Sequence, residues 1–302
     1  MRWLRSKRPR IVRIHHDVYT SGAKRLPLGL RLQMMLARRR VPSELAELVQ
    51  VRVLPSIYTR ADAGEIDGIV MDGDGGAVGQ FVPTGFETYA WLPNPAWKWA
   101  APGADGAIDN FADDREGGLW ARPVKWIDVA KASGLDMHKE TRWSDIAGPT
   151  IEYGNRAVSP EQAWTWGPRE GTLEPFVAES LFNLLSRWTQ PGDRCLSGKW
   201  EGAVGREWRT DVKLATPHWD YFIWACKFGD LGEWLARPDS FERSEGVPHV
   251  LWPASREWFL ANLYSYHSNY LAGSRELIEA VMNSSLEAYE VELPDRSRPA
   301  GD

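Results

Sequence analysis

Apolar and polar residues along this chain repeat with two periods, and each stretch where a period holds marks an element. The longest stretch at the helical period covers residues 173–189, where Phe176, Val177, Leu181, Leu184, Leu185 and Trp188 form one apolar stripe. Pro175 falls in its first turn, where a missing N–H does no harm, and Pro191-Gly192 ends it. Such a stripe has to be buried, and a sheet is the expected cover. Near the C-terminus, residues 257–264 (EWFLANLY) are a short aromatic-rich apolar run that predicts a buried strand. Gly273-Ser274 then offers a helix cap, Glu276 places an acid in the first turn, and Leu277, Ile278, Val281 and Met282 share one face. Residues 286–293 (LEAYEVEL) alternate apolar and acidic positions, as a half-exposed strand does. The closing unit therefore reads strand, helix, strand.

Shorter patterns fill in the rest. Residues 43–50 (SELAELVQ) predict a helical run, and Val51, Val53 and Ile57 a strand interrupted at Pro55. Apolar runs at 66–71 and 78–82 flank Asp72-Gly73-Asp74-Gly75-Gly76, which reads as a hairpin turn. Thr84-Gly85-Phe86-Glu87 has the spacing of a capping box and predicts a short helix ending before Pro93. Residues 92–118 and 152–171 read as long loops, the first a surface insertion. Short helices are expected at 125–133 and 142–147, and strands at 195–200, 208–215 and 219–228. Together these predict an α+β body over residues 43–293, with a mostly antiparallel sheet covered by the 173–189 and 274–283 helices. A disordered tail is expected over 294–302.

Charge separates the first forty residues from the rest. They hold twelve Lys or Arg against the single acid Asp17, although the whole 302-residue chain has a net charge of -5. Residues 1–42 thus read as a flexible basic arm. Within it, 28–40 (LGLRLQMMLARRR) would form a basic amphipathic helix on nucleic acid or a membrane surface, or else belong to a disordered leader. Met34 and Met35 leave open a start downstream of Met1. Contact of residues 1–40 with nucleic acid would neutralise phosphates without reading bases. No apolar run is long enough to span a membrane, so a cytoplasmic protein is expected. Cys195 and Cys226 show no CxxC spacing and read as buried, reduced thiols.

The phrases PTGFETYA at 83–90, VKWIDVA at 124–130, EGTL at 170–173, KWEG at 199–202 and LWP at 251–253 occur in an order that is worth noting, with Gly273-Ser274 and Leu277-Ile278 after them. In this order the chain resembles a family of uncharacterised proteins from high-GC Gram-positive bacteria. The match runs over about residues 50–293. It implies one continuous body with an added arm and brings no activity with it. Where that family tends to carry acids after the WFLA-like strand, this chain has Tyr264, Tyr266 and His267.

Candidate chemistry is sparse. His218 and Asp220 stand at i and i+2 at the opening of an expected strand, so both would face one way and orient a general base. Glu201 is the nearby carboxylate that would complete a hydrolase site. The bland alternative is a histidine closing a strand end beside an exposed acid. Glu87, Asp128 and Glu201 would serve glycoside chemistry if they met in a cleft. The Asp72–Gly76 segment lacks the later acids of a calcium loop, and no nucleophile elbow, dinucleotide fingerprint or phosphate loop occurs, so no cofactor or metal is expected.

Seventeen tryptophans are the strongest remaining signal. Trp91, Trp97 and Trp99 near one long loop, and Trp164 and Trp166 near the other, lie among prolines, glycines and polar residues. Rings in such surroundings either fill space beneath the loops or grip a partner, since indoles give wide contact at little entropic cost. The function these readings favour is a non-catalytic module binding a protein or a small ligand through those aromatics. A hydrolase built on His218 and Asp220 is the alternative, and nucleic-acid attachment by the arm is a third.

Overall fold

The computed structural model describes residues 57–74, 76–101, 104–105, 120–148, 151–153, 156–158, 163–204, 209–236 and 247–297. The arm of residues 1–42 and the helical run expected at 43–50 lie outside them. Every described element falls within the unit Val53–Asp302. In chain order the strands are β1 (Thr59–Arg60), β2 (Thr88–Pro93), β3 (Ala96–Trp99), β4 (Ala121–Val124), β5 (Ile151–Tyr153), β6 (Arg156–Val158), β7 (Arg194–Trp200), β8 (Lys213–Leu214), β9 (Tyr221–Lys227), β10 (Val250–Pro253), β11 (Trp258–Asn262), β12 (Ser268–Gly273) and β13 (Tyr289–Val291). The helices are α1 (Trp126–Ala132), α2 (Trp143–Ile146), α3 (Pro175–Leu185), α4 (Phe228–Ala236) and α5 (Arg275–Met282).

Nine strands form one antiparallel sheet in the order β1-β9-β7-β10-β11-β12-β2-β13, with β8 sharing the outer edge of β9 with β1. Two ribbons, β3-β4 and β5-β6, stand apart from it. Because side chains alternate along each strand, the sheet has two apolar faces. Leu196, Ile223, Val250 and Phe259 meet Val78, Phe81, Trp126, Val129 and Ile146 on one face. Cys195, Leu251, Leu260 and Leu271 meet Leu181 and Leu185 of α3, Leu231 of α4 and Leu277, Ile278 and Val281 of α5 on the other. Each such Leu or Ile, fully covered, contributes about 1.5–3 kcal/mol. The fold is α+β, and α3 and α5 cover the sheet as the two periodic stripes require.

The closing unit gains an element. Between β11 and α5 lies β12, which pairs with β11 and, on its other side, with β2. The stretch between the expected strand at 257–264 and the helix cap thus holds a central strand with all six residues buried. Its polar residues find partners across the sheet: Trp91 Nε1 donates to Ser268 Oγ at 2.6 Å, and Asn269 Nδ2 donates to Asn94 Oδ1 at 2.7 Å. The last strand, β13, pairs with β2 and not with β11.

Three other expectations fail because distant parts of the chain supply the partners. The Thr84–Glu87 box starts no helix of its own, and β2 follows it directly. Glu87 instead accepts from the Arg275 backbone N–H at 2.9 Å, so its carboxylate caps α5. No hairpin forms around Asp72. Residues 78–80 make a 3-10 turn whose N–H groups go to the chain's far end, Val78 to the Asp295 carbonyl and Gly79 to that of Leu293. Those bonds also pin residues expected to be a loose tail: Ser297 is buried, and its hydroxyl donates to the Gly76 carbonyl at 2.6 Å. The sequence predicts no helix after the 219–228 strand, where α4 continues straight from β9. A Cβ at Gly232 would stand 3.0 Å from the Phe182 ring, so its absence lets α4 lie close against α3.

Candidate functional site

At one end of the sheet the aromatic side chains stop being fully covered. Trp200 closes β7, Trp219 precedes β9, and Tyr264 and Tyr266 lie in the turn between β11 and β12. Because β7 pairs with β9 and β10 with β11, these three ends come together. The Trp200 and Trp219 rings lie 5.2 Å apart at 31°, and Tyr264 is 5.4 Å from Trp200. Beneath them Phe81 and Tyr266 are buried and meet edge-on at 5.2 Å. The upper layer is open: Trp200 and Trp219 are half-buried, His218 is exposed and Tyr264 is 47% exposed.

A polar support holds this layer. The Trp200 backbone N–H donates to His249 Nδ1 at 3.0 Å, which leaves the ring proton on Nε2. Burial, and then the neighbouring Lys199 cation, push the His249 pKa well below the usual imidazole value. His249 is therefore neutral, and it fixes the end of β7 on which the Trp200 ring stands. Gly202 sits directly under that ring. On the rim, Lys213 pairs with Glu201 and lies 4.7 Å over the Phe222 ring.

The residues expected to form a hydrolase site are neighbours here but do not work together. The Glu201 N–H donates to the Asp220 carbonyl at 2.9 Å, so two of them meet where the β7–β9 ladder ends. The Glu201 carboxylate, however, is taken by Lys213. The His218 ring packs edge-on against Phe81 at 5.4 Å and on Trp219 at 4.6 Å, exposed to solvent and hydrogen-bonded to neither carboxylate. A general base needs its orienting partner within hydrogen-bond reach and a cleft to act in. Glu87 and Asp128 stand on other elements, Glu87 at the cap of α5 and Asp128 exposed on α1. Among the described residues, no group of three or more His, Cys, Asp and Glu is placed to hold a metal ion.

The five loop tryptophans divide. Trp91, Trp97 and Trp164 are at most 2% exposed, so they are core residues and cannot touch a partner. Trp91 packs against Trp126, which donates its indole N–H to the Asn94 carbonyl; Trp164 donates to the Ala147 carbonyl and packs on Trp143. Trp97 lies on β3 beneath the Arg169 guanidinium, 5.0 Å away, and beside Phe176. Trp166 is half-buried and bridges to Trp97 through the backbone. Only Trp99 of the five is largely exposed, at 56%. Trp91 and Trp164 belong to the main core and Trp97 to a small cluster with Ala121, Trp166 and Phe176, partners distant in sequence, which is why the polar surroundings misled.

Trp200, Trp219 and Tyr264, the open rings at the sheet end, are the ones sequence reading missed. Their signal lay in the strand ends: a Trp closing one expected strand and another opening its neighbour must approach if the two pair. The basic arm, residues 1–40, is outside the described residues. Among the described residues no helix is long and apolar enough to cross a membrane. Comparison with protein-family models, with curated proteins and with solved structures returned no match.

Proposed function

We propose that this protein is a non-catalytic binding module and that its contact face is the open aromatic end formed by Trp200, Trp219 and Tyr264, with Trp99 as a separate exposed ring. The observation that carries this reading is a contrast in burial. Trp91, Trp97, Trp126, Trp164, Trp252 and Trp258 are all fully buried, while Trp200 and Trp219 stack on each other only half-covered beside an exposed tyrosine. Rigid rings stacked on one another lose little side-chain entropy on contact, which makes them effective anchors. Glu201, Lys213 and Asp220 would form the polar rim. The occupant is a protein segment or small ligand that presents a flat apolar surface. Cytoplasmic residence belongs to this reading.

A ligand-observed NMR screen of planar fragments and aromatic peptides tests it. Hits should weaken about tenfold in Trp219→Ala and Tyr264→Ala with the fold unchanged, a loss of about 1.4 kcal/mol for a hot-spot ring. A screen with no hit sensitive to either substitution removes the proposal.

A further inference from the structure

Cys195 on β7 and Cys226 on β9 are register partners, opposed directly across the antiparallel ladder. The side chains of an opposed pair leave a sheet on the same face, and both thiols belong to the core that α3, α4 and α5 cover. Each of them is free.

The ladder also fixes their separation. Antiparallel pairs alternate between wide, hydrogen-bonded ones and narrow, non-bonded ones. The Phe228 N–H donates to the Asp193 carbonyl and the Glu201 N–H to the Asp220 carbonyl, each at 2.9 Å. Residues 193 and 201 both stand an even number of steps along the chain from Cys195, so Cys195–Cys226 is a wide pair as well. Its Cα atoms are then about 5.5 Å apart, inside the roughly 4.4–6.8 Å that a disulfide spans. Joining the two needs no shift of either strand.

Both thiols are covered in the folded chain, at 0% and 4% exposure, so a reagent meets them only when the ladder opens or before it closes. The ladder is thinly held at this place. On its outer side β9 is paired by β8 at Tyr221 and Phe222 and by β1 at Trp224 and Ala225, and among the described residues no strand pairs with Cys226 there.

We propose that Cys195 and Cys226 are a redox modification site, converted by a small disulfide such as oxidised glutathione into a cross-strand bond between β7 and β9. One cysteine thiolate attacks a sulfur of the oxidant and displaces one thiol; the other cysteine attacks the mixed disulfide and displaces the second. Two cysteines are oxidised, the S–S bond of the oxidant is reduced to two thiols, and both cysteine protons end on those thiols. The bond closes residues 195–226 into a loop that carries Trp200 and Trp219, and it ties together the two strands beside which those rings stand.

The test refolds the full chain from urea with oxidised glutathione in one sample and with excess dithiothreitol in another. With glutathione the intact mass should fall by two hydrogens, and a digest should yield the Cys195 and Cys226 peptides joined. Tm of that sample should stand at least about 5 °C above that of the reduced one and return to it when dithiothreitol is added. Thiols left free, thiols capped by glutathione, a bridge between two chains, or an internal bond that lowers Tm would each overturn the proposal. Substitutions at Trp219 and Tyr264 leave both thiols in place, so this result is independent of the aromatic contact face.

Discussion

Trp200 lies across Gly202 so closely that a Cβ added at 202 would stand 2.4 Å from Trp200 Cζ2. Such a separation is not tolerated, and the contact is with a large ring held by Trp219 and Tyr264. Gly202→Ala should therefore displace the Trp200 ring, at a cost of about 1–3 kcal/mol. Near-UV circular dichroism should lose the signal of the Trp200–Trp219 pair, and urea unfolding should shift to lower concentration. An unchanged spectrum would mean that the ring is not seated on this glycine.

Glu87 and Ser274 cap one helix from two distant parts of the chain. Ser274 Oγ accepts from the Leu277 N–H at 3.2 Å, and Glu87 from that of Arg275. Ser274→Ala and Glu87→Ala should each cost about 0.5–2 kcal/mol, since each leaves a helix N–H without its acceptor. The two should also couple, because both act on the first turn of α5. Chemical denaturation of the single and double variants measures this, and full additivity would argue against a shared cap.

Acid should destabilise the protein through its buried imidazoles. Burial lowers the pKa of His267 to about 4, and that of His249 well below the ordinary value. Glu170, 3.8 Å from His267 and 56% exposed, is too distant and too well solvated to hold a proton on the ring. A depressed histidine pKa gives stability that is complete above the unfolded value and is lost as pH falls toward the folded one. For His267 alone the loss from pH 8 to pH 5 is about 2 kcal/mol. His267→Gln should flatten the fall of Tm between pH 7 and 5, and an unchanged pH profile would contradict a neutral buried ring.

Two carboxyls, Glu174 buried and Glu287 half-buried, act in the opposite direction. Burial raises the pKa of Glu174 against the pull of Arg169, and that of Glu287 despite bonds from the Trp126 and Ile127 N–H groups. A carboxyl with a raised folded pKa adds stability at low pH that is lost as pH rises through that value. Glu174→Gln, which keeps the shape without the charge, should raise Tm at pH 7 more than at pH 4. Equal effects at both would show that Glu174 is not the titrating group.

Cys195 and Cys226 stand directly opposite each other on β7 and β9. Burial pushes both thiols up, Cys226 to about 12, so neither is a thiolate near neutrality. Native protein should resist iodoacetamide at pH 8 and react fully in urea. Rapid labelling without denaturant would show the β7–β9 pair to be open.

What the sequence disclosed was governed by periodicity. The stripe of α3, the cap and face of α5, and the apolar runs of β7, β9 and β11 follow local rules that tertiary contacts reinforce. Elements whose logic is non-local were hidden. Ser268 and Asn269 carry no strand signal until Trp91 and Asn94 supply their partners, and α4 follows β9 where no helix is expected, with Gly232 fitted against Phe182 of α3. Glu87 has the spacing of a local cap and serves a helix more than 180 residues away. The candidate face was obscured for the same reason: Trp200, Trp219 and Tyr264 become neighbours only once strand order is known. Proline-rich surroundings around Trp91, Trp97 and Trp164 gave no hint that ribbon and sheet would enclose them.

Hydroxyl-radical footprinting read by mass spectrometry tests the division between packed and open aromatic rings most directly. Trp99, Trp200, Trp219 and Tyr264 should be oxidised readily in the native protein, while Trp91, Trp97, Trp126, Trp164 and Trp258 stay protected until it unfolds. Protection of Trp200 and Trp219, with oxidation at Trp91 or Trp164 instead, would contradict both the fold at that end of the sheet and its use as a contact face.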